Sequence, residues 1–151
     1  MLDLKVIPPV QLLICAGVMF LLYNYLPSLA FTFEYWLITT ITLIIIASII
    51  GFLALYDFYI HKTTFHPNTP EKTTTVVNTG IYAFSRNPMY IALVLTLFAL
   101  GFYLQNISVF FMIPFFIAYI TQYQIKPEER VLTELFTQEY KDYCANVRRW
   151  L

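Results

Sequence analysis

The chain has 151 residues, 59% hydrophobic and 12% charged, with a mean hydropathy of +0.65 and a formal net charge of zero. That composition excludes an ordinary soluble domain and leaves length for one compact unit, an all-α integral membrane protein. Neutrality removes the basic footprint of a nucleic-acid binder, and two isolated cysteines, Cys15 and Cys144, provide neither a disulfide framework nor a thiolate metal site.

In chain order, Met1 to Lys5 carry one acid and one base before the first apolar run, and no small-x-small pattern closes that run. This predicts a retained membrane helix rather than a cleaved signal peptide. Four apolar segments follow, at 9–26, 35–56, 89–104 and 107–123. The first two have the ~20 residues that a hydrocarbon core of about 30 Å requires, and the last two are somewhat short. Only Gln105-Asn106 and their neighbours separate the last two, so they read as a tight helical hairpin.

All 9 lysines and arginines fall in the N-terminus, the 57–88 loop or the C-terminal tail. Four crossings put those three regions on one face, and the excess of positive charge makes that face cytoplasmic. The 57–88 loop is rich in threonine, carries Pro67 and Pro70, and is too long for a bare connector. Beyond it, 127–143 reads as an amphipathic cytoplasmic helix, with Val131, Leu132, Leu135, Phe136, Tyr140 and Tyr143 on its apolar side. Glu128 and Glu129 begin that apolar stripe, an expensive place for carboxylates unless a cation meets them.

Taken singly, the remaining polar residues have ordinary readings. Asn87 suits an N-cap and Pro88 a first helical residue, Arg86 an interfacial anchor, and Tyr82 and Tyr90 an aromatic belt. Gly80 allows a turn or a close approach to a ligand. Acids in a first helical turn complement the helix dipole, which accounts for the sign of Glu128 and Glu129 but not their azimuth. His61 and His66 make a poor metal pattern, so no metal site is expected, and four scattered glycines give no dinucleotide fingerprint.

Together, Val76-Val77-Asn78-Thr79-Gly80-Ile81-Tyr82, Arg86-Asn87-Pro88-Met89-Tyr90, an apolar pair of segments, Glu128-Glu129 and Phe136-Thr137-Gln138-Glu139-Tyr140 resemble the isoprenylcysteine carboxyl methyltransferase and phospholipid methyltransferase family. The resemblance covers the C-terminal half. It implies S-adenosylmethionine held outside any Rossmann domain, with Val76, Val77 and Tyr82 bordering the adenosyl part and Asn87, Pro88 and Tyr90 lining the methionine end. Glu128 and Glu129 would contact polar groups of the cofactor, and Arg86 and Glu129 are the candidate catalytic residues. Asn87 stands where the family more often has histidine, and Gln124 near where eukaryotic isoprenylcysteine enzymes carry an arginine for the substrate carboxylate.

The expectation is a multi-pass membrane methyltransferase with a cytoplasm-facing site and an amphiphilic acceptor drawn from the bilayer. An isoprenylcysteine-like carboxylate comes first and a phospholipid amine second. A non-catalytic membrane protein that retains the fold, or a nicotinamide-dependent reductase of the sterol type, are readings from other classes.

Overall fold

The computed structural model describes residues 7–61 and 75–151. Among these residues five α-helices run in order: α1 (Pro8–Tyr25), α2 (Trp36–Ile60), α3 (Pro88–Leu104), α4 (Met112–Ile120) and α5 (Lys126–Asn146). Proline stands at the first position of α1 and α3, where its missing N–H would have had no helical acceptor. Expectations placed on Lys5, Lys62, His66, Pro67, Pro70 and Lys72 lie outside the described residues.

Three segments among the described residues are long and apolar enough to cross a membrane: Pro8–Tyr25, Trp36–Ile60 and the continuous run Ile107–Asn146. The apolar α3 has 17 residues, about 25 Å of helix. α2 continues one turn beyond the expected 35–56.

The expected break between the 107–123 and 127–143 helices does not occur. The chain passes from a 3₁₀ turn, Ile107–Phe111, through α4 and a π-helical stretch, Thr121–Ile125, directly into α5. Pro127 explains this: it cannot donate to the carbonyl four residues back, and its ring crowds that carbonyl. Widening the preceding turn gives the ring room while the chain stays helical. The tail is also not one straight helix, because Thr137 has φ 37° and ψ −94° and kinks α5.

α3 is the central element. It lies along α2, where buried Ala47 and Ala54 flank Gly51, and a Cβ on Gly51 would sit 3.7 Å from Ala92 of α3. α1 packs on α3 and α4, and the main core holds Met19, Leu97, Val109, Phe116, Ile120 and Ile125, all essentially inaccessible. Ile38 and Phe52 on the outer face of α2 are about two-thirds exposed, at 65% and 67%. Such a surface suits hydrocarbon, in which helices satisfy their own backbone and need no polar face.

At one end of the bundle the α1–α2 connection is tied to the turn after α3. Gln105, at φ 48°, ends α3, and its carbonyl accepts from Phe31 N–H at 2.9 Å. Buried Asn106 donates to the Leu26 carbonyl at 2.9 Å and accepts from the Ser108 N–H at 2.9 Å. The end of α2, the start of α3 and α5 meet at the opposite end.

Candidate functional site

At that opposite end Asp57, in the last turns of α2, accepts a hydrogen bond from the Ile81 N–H at 2.9 Å. This carboxylate holds the 3₁₀ turn Gly80–Ala83. Gly80 has φ 57°, and a Cβ there would collide with the Asp57 carboxylate. The close approach that requires glycine is therefore to Asp57. His61 ties the same corner, its ring nitrogens lying 2.7 Å from the Asp57 carbonyl and 3.3 Å from the Thr79 hydroxyl.

The turn buries Tyr82, whose ring meets Phe58 edge-on with centroids 5.2 Å apart, in a cluster with Val77 and Ala54. Burial, and after it the neighbouring Tyr143 hydroxyl, raises the Tyr82 phenol well above the usual tyrosine range. Tyr143 of α5 donates to the Tyr82 carbonyl at 2.7 Å. Val76 belongs to a different cluster, with Tyr140, Tyr143, Leu132 and Phe136. The two adjacent valines thus face opposite ways, one toward α2 and one toward α5. Leu135, expected on the same stripe of α5, is instead exposed.

Asn87 occupies the N-cap position of α3, and its carbonyl accepts from Tyr90 and Ile91. Its side chain makes no capping bond. The capping expectation is corrected here: Nδ2 donates to the Arg149 carbonyl at 2.9 Å, and the Asn87 N–H donates to the Ser85 hydroxyl at 3.1 Å. The side chain is turned toward the C-terminal segment instead of back over the first turn. Pro88 is fully buried at the first helical position.

One turn on, Tyr90 donates from Oη to Glu128 Oε1 at 2.7 Å, and Gln124 Nε2 donates to the same oxygen at 3.0 Å. Glu128 stands beyond Tyr123, where the apolar stretch ends, and burial pushes its carboxyl up to about 7, against the two hydrogen bonds that favour ionisation. Gln124 is 1% exposed, and its Oε1 has no partner among the described residues.

Glu129 is met by two arginines. Arg86 Nη1 lies 3.0 Å from Oε1, and Arg149 donates from Nε at 3.0 Å and from Nη2 at 2.7 Å, a bidentate pair. That pairing raises the Arg149 guanidinium above its ordinary value. Arg86 Nη1 also lies 2.6 Å from the Cys144 sulfur. The cation demanded by an inward-facing carboxylate is therefore supplied, in this conformation, by the chain itself.

Tyr90 and Glu128, and Arg86 and Glu129, are in direct contact, and Asn87 reaches the same neighbourhood through Arg149. Val77 and Tyr82 on one side, and Val76 on the other, lie buried in two adjacent apolar clusters. Sequence reasoning missed Asp57, Tyr143 and Arg149. An acid at the end of a 25-residue apolar helix, and a pair of arginines just before Trp150, were the available signals.

A family model described as phospholipid methyltransferase matches residues 35–139. The chain belongs to the phospholipid methyltransferase family. The matched region contains both polar motifs and the helices between them, so family membership and site geometry concern the same part of the molecule. An uncharacterized protein of Haemophilus influenzae is 41% identical over 63 residues, 42% of this chain and 100% of that relative. No solved structure matches the chain significantly. As a phospholipid methyltransferase family protein with apolar helices of membrane-crossing length, it is a membrane methyltransferase by family.

Proposed function

We propose that this single 1–151 domain transfers a methyl group from S-adenosylmethionine to an amphiphilic acceptor at the cytoplasmic membrane interface. The observation that carries the reading is the meeting of two motifs from the matched region, Arg86-Asn87-Pro88-Met89-Tyr90 and Glu128-Glu129, through Tyr90–Glu128 and Arg86–Glu129 contacts at 2.7 and 3.0 Å. α1, α2, α3 and the 107–123 part of the long helix cross the bilayer, the last two as a hairpin, and the motif-bearing ends face the cytoplasm.

The residue types match the cofactor in charge and polarity. Asn87, Arg86 and the two glutamates offer a donor, a cation and carboxylates for a zwitterionic methionine end, while Val76, Val77 and Tyr82 offer apolar surface for the adenosyl part. When bound, the cofactor supplies an electrophilic methyl on sulfur, which the acceptor takes by direct displacement, leaving a thioether. The protein's share is to hold both reactants in line and exclude water. Arg86 and Glu129 contribute by fixing the charged end.

An isoprenylcysteine-like carboxylate is the acceptor expected from the resemblance. Gln124 favours a second reading, a neutral phospholipid amine. A buried acceptor oxygen with no donor among the described residues, beside the Glu128 carboxyl, suits an N–H group.

Detergent-purified protein should be stabilised by S-adenosylhomocysteine, by about 2.7 kcal/mol at one hundred times Kd, and not by a nicotinamide dinucleotide. Stabilisation by the dinucleotide alone would replace this reading with the reductase. Mass spectrometry of phosphatidylethanolamine and of a farnesylated cysteine incubated with methyl-labelled cofactor then separates the two acceptors.

A further inference from the structure

The C-terminal residues 147–151 do not trail away from the bundle. α5 ends at Asn146, Val147 is extended at φ −122° and ψ 131°, and the chain turns back across the start of α3. There the Arg86 N–H donates to the Arg148 carbonyl at 3.0 Å, and Asn87 Nδ2 and Ser85 Oγ reach the Arg149 carbonyl at 2.9 and 3.5 Å. The Arg149 guanidinium grips Glu129, and Trp150 packs on the main core.

Arg149 thus offers two groups at once: a cation to Glu129 and a carbonyl oxygen to the Asn87 amide. Those are the two complements, ammonium and carboxylate oxygen, that an amino-acid end presents. Both oxygens of Glu129 and the Asn87 amide are already engaged by this one residue or by Arg86. A ligand using the same groups must displace it.

We infer that residues 147–151 are a displaceable plug in which Arg149 imitates a zwitterionic amino-acid end and keeps the site shut until the cofactor competes it off. The inference rests on the cofactor reading above and deepens it by naming the regulation of that site. The plug suits release: Arg148 is exposed, and the Arg149 side chain is 36% exposed. Such segments open locally at little cost.

The chain has 2 tryptophans, and Trp36 stacks edge-on with Tyr103 at the far end of the bundle. A Trp36→Phe protein therefore leaves Trp150 as the sole indole reporter on the plug. Acrylamide quenching of Trp150 should increase when S-adenosylhomocysteine saturates the site. Arg149→Gln in the same background should raise quenching without ligand and tighten S-adenosylhomocysteine binding by about tenfold, the effect of freeing a site closed roughly nine-tenths of the time. Decreased quenching on binding, or weaker binding by Arg149→Gln, would overturn the plug and make the segment a wall of the pocket. Failure of both proteins to bind S-adenosylhomocysteine removes the cofactor reading. The ligand-free comparison of Trp150 quenching, with unchanged quenching in Arg149→Gln counting against the plug, still decides whether Arg149 holds the segment down.

Discussion

Arg149 and Glu129, 20 residues apart on the two sides of the kink at Thr137, form a bidentate ion pair at 3.0 and 2.7 Å. A straight α5 would carry the residues after Thr137 onward along the axis. The kink and the extended Val147 bring Arg149 back over the start of the same helix, where Arg86 shares the carboxylate.

Glu129→Gln leaves both guanidiniums without their counter-charge, so it is expected to lower stability as well as cofactor affinity. Loss of charge-assisted bonds to a group 15% exposed corresponds to about 1.5–3 kcal/mol in unfolding. Thermal unfolding in detergent measures the first effect and titration calorimetry the second. A variant as stable as the parent would mean that the pair is fully screened.

Asn87 distinguishes capping from anchoring. Because Nδ2 donates to the Arg149 carbonyl, Asn87→Ala should cost about 1 kcal/mol, and Asn87→Asp more, since it sets a carboxylate oxygen against that carbonyl. A capping side chain predicts the opposite order, with aspartate as good as asparagine. Comparing the two midpoints decides between them.

Gly80→Ala should be among the most damaging single-methyl changes in the chain. It puts a Cβ on a residue at φ 57° and into the Asp57 carboxylate, where strain alone is worth about 1–3 kcal/mol. Asp57→Asn keeps an acceptor oxygen for Ile81 and should be mild by comparison. The pair should also separate in cofactor affinity, because the turn positions Tyr82. Equal effects in a thermal-shift assay with S-adenosylhomocysteine would detach the turn from the site.

Glu128 predicts a pH dependence. Its carboxyl titrates near 7 in the fold against an ordinary 4.5, so between those values the folded state binds more protons than the unfolded. Stability is fullest below about pH 4.5 and falls as pH rises through about 7, by at most about 3 kcal/mol from this group. Glu128→Gln should flatten that part of the curve. An unchanged slope in the variant would assign the dependence to another residue.

The membrane class, the apolar segments and the residues of the two motifs were legible in the amino-acid sequence, because they rest on composition, helical period and local residue chemistry. Hydrocarbon demands long apolar helices wherever they pack, and proline marks helix starts through its own missing N–H. The tertiary structure decided what those local rules cannot see. It decided that Asn87 spends its amide on Arg149 rather than on a cap, and that Pro127 widens a helix rather than opening a new one. It also decided that Val76 and Val77 part company, and that Glu129 already has its cations. Each of these depends on which distant group competes for a donor, an acceptor or a charge. That competition is settled by the fold of α5 back onto α3, a geometry set by one kink and five terminal residues with no periodicity to announce them.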